Sequence, residues 1–267
     1  MDSRSHSLVG RFALAKLALN VWDRPLRPAG NAGVVQLDIG RGRSKACEHF
    51  RAFLGARDNR VEVLGVDSDL EQLVLMIHEP RRRFELETWK AEAERTGERI
   101  VRTKGRRAVI ERFTDSRKRH FLCGMDEQHC FIAQLPEPVS SVQRAHDVLK
   151  PTDYETLSRR AQRHVIRQGE FFFAPLSGDE LKRYAQLGQK VHVSRSTGIA
   201  AAAGWTRVGR QHVASEVWPV DSVNRIVLVR GHVHHPDHKT LHFGEWVRVL
   251  QNREAIDRPV PGVLWVD

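Results

Sequence analysis

An α+β chain is predicted, with a mainly antiparallel sheet, an N-terminal amphipathic helix and a β-rich C-terminal half. Three observations carry this. Apolar residues recur at helical spacing over the first twenty-two positions. Apolar and polar residues alternate through much of 59–89. Strand-like segments separated by turn signals fill most of the chain after residue 188. A chain of 267 residues can bury a real core, as one large domain or two small ones. Hydrophobic content of 40% with 28% charged residues suits a soluble globular protein, and no apolar run approaches the ~20 residues that cross a bilayer.

In the N-terminal segment, Leu8, Phe12, Ala15, Leu19 and Trp22 fall at spacings of four and three, which predicts one helical face. Arg11 and Lys16 interrupt the apolar run and no small-residue cleavage site follows, so a docked helix is expected rather than a targeting peptide. Residues 1–30 are read as this helix and a linker, ended by the prolines and glycines of DRPLRPAGNAG. Residues 31–135 are read as a small β-meander region with a basic stretch. There NRVEVLGVD and RFELETW alternate, EQLVLMI is a continuous apolar run, and RHFLCGMD and QHCFIAQL flank a turn at 126–128. The segments at 64–80 and 122–138 echo each other, which suggests two similar hairpins.

Residues 136–267 are read as helices followed by a β-rich region. Ser140 with Gln143, Thr152 with Glu155, and Ser177 with Glu180 have capping-box spacing. The first helix stops before Pro151 and the third near Gly188. EFFFAP, QKVHVS, QHVASEVW, NRIVLVRGHV and TLHFGEWVRVL read as strands, the last two joined by a turn at Pro236 and Asp237.

Net charge is +10, and it is concentrated: from Arg81 to Arg119 there are 14 Lys or Arg against 7 Asp or Glu, a net of +7. Such a field attracts nucleic acid or another polyanion. The expected contacts are Arg81, Arg82, Arg83, Arg102, Lys104, Arg106, Arg107, Arg117, Lys118 and Arg119. Three scattered cysteines and no C-x-x-C pair point to a reducing compartment, read as the cytoplasm.

The stretch VRGHVHHPDHKTLHFGEW places five of the fourteen histidines within eleven residues. On a strand, His232 and His234 share a face, and His242 on the return strand can reach it. With His238 at the turn and His212 on an earlier strand, they form a candidate set of ligands for a divalent transition metal, zinc the first choice. Glu170 and Asp237 are candidate general bases. The alternative is a solvated turn whose histidines only become cationic in acid.

Two resemblances add to this. VVQLDIGRGRSK followed by VEVLGVDSDLEQL, within residues 34–69, resembles the opening of class I S-adenosylmethionine-dependent methyltransferases. That implies a cofactor loop at Asp38, Gly40 and Gly42, with Asp67 on the ribose. Ser44 stands where that family has its third glycine, and residues 70–165 show hairpin signals instead of its α/β alternation. RQGEFFFAP together with VRGHVHHPDHKTL is similar to a family of bacterial proteins over roughly residues 117–253, which implies a bacterial origin and no particular chemistry. The leading expectation is a nucleic-acid-associated protein with a metal site on a C-terminal hairpin and metal-dependent hydrolytic chemistry. A methyltransferase and a structural protein without a catalytic site are the alternatives.

Overall fold

A computed structural model describes residues 3–26, 33–41, 48–127, 129–161, 164–187, 198–205, 211–221 and 223–254. It is an α+β protein with mostly antiparallel sheets. Helix α1 (Ser3–Leu14) buries Leu8 and Phe12. It ends where Lys16 takes φ 58°, so Ala15 and Leu17 enter the core from the turn instead of extending the helix. Strands β1 (Leu19–Val21), β2 (Gln36–Arg41) and β3 (Glu48–Phe53) form a sheet in the order β1-β3-β2. The β1–β3 pair is parallel, and every other pairing among the described strands is antiparallel.

Strands β4 (Arg60–Asp67) and β5 (Gln72–Glu79) make the first of the two echoed hairpins. Past Pro80 the chain runs on as β6 (Arg82–Trp89), helix α2 (Lys90–Thr96), β7 (Ile100–Lys104) and β8 (Arg107–Thr114). It returns through β9 (Arg117–Asp126) and β10 (His129–Gln134), the second hairpin. Because β5 pairs with β9 and β6 with β8, the basic stretch is an arm whose outer sheet has the order β6-β8-β7. The inner sheet has the order β10-β9-β5-β4 and is covered on both faces. Leu73, Leu75 and Ile77 pack with Phe12, Leu37 and Phe50 on one side. Val74 packs on the other with Val142, Ala145 and Val148 of helix α3 (Val142–Leu149). Burial on both faces explains why β5 reads as an unbroken apolar run. The cap of α3 is Ser141, whose hydroxyl accepts from Arg144 N at 3.3 Å, and not the expected Ser140. Adjacent serines leave that choice to backbone geometry.

After helix α4 (Tyr154–Ala161) come β11 (Ile166–Gln168) and β12 (Phe171–Pro175), joined by a tight turn at Gly169 and Glu170. Helix α5 (Gly178–Gln186) carries the full Ser177–Glu180 capping box, and α6 (Ile199–Ala203) is short. Gly188 and the expected strand at 189–194 lie outside the described residues. Strands β13 (Val213–Asp221), β14 (Ile226–His235) and β15 (His238–Gln251) complete a sheet of order β11-β12-β15-β14-β13. Phe171, Phe173, Val217, Val229, Val233 and Val249 pack beneath α6 to form its core.

The strand β15 curls. Phe171 pairs with Gln251, yet the Gln168 side-chain Nε2 donates to Lys239 O at 2.6 Å. Twelve residues of straight strand would separate Lys239 from Gln251 by about 40 Å, whereas Gln168 and Phe171 are at most about 10 Å apart. Register shifts in the β14–β15 ladder, with Gly231 at φ 83°, supply the bend. The hairpin tip thereby folds back onto the β11–β12 turn.

Candidate metal centre

The bend decides which histidines face inward. His235 and His238 are direct cross-strand partners around the Pro236–Asp237 turn, so their side chains share a face. That face also carries buried Val233, and it is the inner one. His212 comes from the residue before β13, where its carbonyl accepts from Ile199 N at 2.9 Å and ties it to α6. His212 stacks on both other rings, with centroids 4.3 Å from His235 and 5.5 Å from His238, while His235 and His238 are tilted to each other at 4.9 Å. One ligand nitrogen from each lies within 4.8 Å of the other two. His212 and His235 are 1% and 0% exposed.

Two tight turns close around the group. Gly169 holds φ 55°, and a Cβ there would sit 3.2 Å from His238 Nε2 and 3.3 Å from His212 Cε1. Both distances are tighter than ordinary contact, so with a side chain there the rings would have to give by a few tenths of an ångström. Next to it, buried Glu170 places Oε1 3.7 Å from His212 Nδ1. In the other turn, Asp237 N donates to His235 Nδ1 at 3.2 Å. His238 Nδ1 is buried with no hydrogen-bond partner.

A cavity of about 30 Å³ adjoins the centre, lined by Gly169, Glu170, Asp237 and His238 on one wall and by His129 and Cys130 on the other. It has room for about two waters, since a water needs roughly 10–15 Å³. His129 Nε2 lies 4.0 Å from Asp237 Oδ1, and its Nδ1 lies 3.3 Å from Glu48 Oε1. Glu48 is itself fixed by Arg41 Nε at 3.1 Å and Cys130 N at 2.8 Å. Burial above all, and then Glu48, pushes the Cys130 thiol up to about 12, so it stays a thiol and not a nucleophile near neutral pH.

Of the histidines expected as ligands, the structure brings His212 and His238 together and adds His235. His232, His234 and His242 stand exposed on the outer face of the same hairpin. Glu170 and Asp237, the expected bases, both line the cavity. His235, His129, Glu48 and Gly169 were not read from the sequence. For His235 a signal existed: Val233 between two histidines marks the inward face, and His235 shares its parity. Nothing local announces Glu48 or His129, which arrive from β3 and β10.

The residues suggested by the methyltransferase resemblance serve local structure. Buried Asp38 accepts from Ile39 N at 2.8 Å and pairs with Arg51. Gly40 lies on β2 under the His49 and Arg51 side chains. Gly42 lies outside the described residues. Asp67 caps the β4–β5 turn by accepting from Asp69 N and Leu70 N. Strands β2 and β4 each pair antiparallel with the next strand, unlike that family's parallel sheet.

In the arm, many of the expected contact residues are engaged. Arg82 pairs with Asp58, Arg83 with Glu111 and Arg102 with Glu85. Arg119 is buried against Glu79 at 2.7 Å. Arg81 lies over Phe113 and Arg107 over Trp89, at 4.8 Å and 4.1 Å from the ring centroids. Lys104, Arg106, Arg117 and Lys118 stand exposed. No helix among the described residues is long and apolar enough to cross a membrane. Comparison with models of known protein families, with curated proteins and with solved structures finds no match for this chain.

Proposed function

We propose that this protein binds a divalent transition-metal ion, zinc the first candidate, between His212, His235 and His238, and uses the adjoining cavity for hydrolytic chemistry. One observation carries the reading: two imidazoles from one hairpin turn and a third from the residue before β13 converge over a glycine, beside a buried carboxylate. Zinc–nitrogen bonds of about 2.0–2.1 Å place tetrahedral ligand atoms roughly 3.4 Å apart, so ligand atoms as far apart as 4.8 Å must close in by up to about 1.4 Å. His235 must also release the Asp237 amide, because a ring that ligates through Nε2 carries its proton on Nδ1. A bound ion supplies Lewis acidity toward a carbonyl or phosphoryl oxygen. Glu170 and Asp237 are the carboxylates placed to take a proton from a water in the cavity. His129, backed by Glu48, faces the same space. The free, buried thiols of Cys123 and Cys130 suit the cytoplasm, a reducing compartment.

The test is elemental analysis of natively purified protein carrying no histidine tag. Near-stoichiometric zinc, manganese or iron is expected in the wild type and is lost in His212→Ala/His238→Ala. Metal-free wild-type protein that also takes up none of these ions on addition sinks the reading.

A second reading concerns the arm, and a specific feature favours it. The exposed turn Lys104–Gly105–Arg106–Arg107 stands beside Trp89, which is 52% exposed and covered by the Arg107 guanidinium. Cations next to an accessible ring suit a nucleic-acid strand, with phosphates on the charges and a base on the ring. Together the two readings describe a protein that holds nucleic acid on its arm and carries hydrolytic chemistry at its centre.

A further inference from the structure

We propose that His232 and His242, on the outer face of the β14–β15 hairpin, form a second and exchangeable chelating site for a divalent transition-metal ion. The two residues are direct cross-strand partners. Such a pair puts both side chains on one face with Cβ atoms about 5 Å apart. Their ring centroids lie 4.7 Å apart with the planes tilted by 55°. Both are exposed, so an ion reaches them without any buried group having to be desolvated. The ladder already holds the spacing, and only side-chain rotation remains to be fixed when both imidazoles turn to one ion.

Two further features fit. His164 lines the same groove as His242, an opening of about 260 Å³ that also includes Gly244 and Trp246. Arg230, the nearby cation on β14, is neutralised by Glu216, which receives its Nε and Nη2 at 2.9 Å and 2.6 Å. Imidazole nitrogens suit copper(II), nickel(II) and zinc(II), and the usual order of affinity places copper first. With water completing the coordination, an ion here exchanges freely. Because alternate residues point to opposite faces, the pair faces away from His235 and fills independently of the inner centre.

The experiment is a calorimetric titration of untagged, chelator-stripped protein with nickel(II) chloride. Wild type is expected to show a weak class of sites. His232→Ala and His242→Ala should each weaken it by at least the roughly 10–100-fold that even indirect supports of a metal site contribute. Both side chains are exposed, so the thermal midpoint should not move, which shows that the variants fold. Metal that co-purifies at the inner centre, read separately by elemental analysis, should be retained in both. A weak class that survives in both variants overturns the proposal, and so does its absence from wild type. Neither result bears on the inner centre.

Discussion

At the scale of single residues, Gly169 has two roles that one substitution exposes. Its φ of 55° lies where side chains are strained, and its missing Cβ is the space between His212 and His238. Gly169→Ala should lose about 1–2 kcal/mol from the backbone alone. Its denaturation midpoint should fall accordingly, and its metal content should drop with it. An unchanged midpoint would mean the turn relaxes and the site is less confined than described. Much of this site was legible at the level of residue types: Glu170, His212, Asp237 and His238 stand out in the sequence. The choice between His232 or His234 and His235 was not. HVHH offers both parities, and the bulges that settle which is inward are a property of two strands and not of one. Glu48 and His129 were illegible for a related reason, since sequence spacing says nothing about which hairpin end will meet which.

Among elements, the arm was the hardest to read. Its excess of cations was plain, but pairing β6 with β8 and β8 with β7 sets Glu85, Glu98 and Glu111 against Arg102, Arg112 and Arg83. These pairs leave the net +7 unchanged, since their acids are already counted in it, and surface pairs of this kind add little stability. The exposed turn at 104–107 carries three of the cations outside those pairs. Lys104→Glu/Arg106→Glu should weaken binding of single-stranded DNA, and the dependence of affinity on salt should become shallower by roughly two released counterions. Equal affinity and equal slope in wild type and variant would remove the arm as a nucleic-acid contact. By contrast, the apolar run of β5 and the capping box of α5 were legible because their causes are local or lie in burial that leaves a compositional mark.

For the whole molecule, the junction between the inner sheet and the C-terminal sheet is polar, and it titrates. His146 of α3 joins Gln72 Oε1 at 2.7 Å to Arg167 Nη1 at 3.0 Å, and Arg167 Nε donates to Gly169 O. Burial first, and then the Arg167 charge, holds His146 below the ordinary histidine pKa, so the folded protein keeps it neutral. The unfolded chain takes up that proton near pH 6.5, as an ordinary histidine does. Stability contributed by the neutral ring is thus present above about pH 6.5 and is lost as pH falls below it. Wild type should lose more unfolding free energy than His146→Gln between pH 7.5 and 5.5, as measured by urea denaturation. Equal losses would show that the junction does not sense this proton. The curl of β15 has a consequence for how the chain reaches this state. The curled tip is anchored by Lys239 N donating to Glu127 Oε2, a contact spanning 112 residues. Closing a loop of that length costs about 4 kcal/mol of chain entropy on length alone. Hairpins such as β9–β10 and β14–β15 close far shorter loops, at about 1 kcal/mol by the same scaling. Folding order follows from that difference: the local hairpins come first and the long closure after them, so the centre is assembled only when nearly all of the described chain has been made.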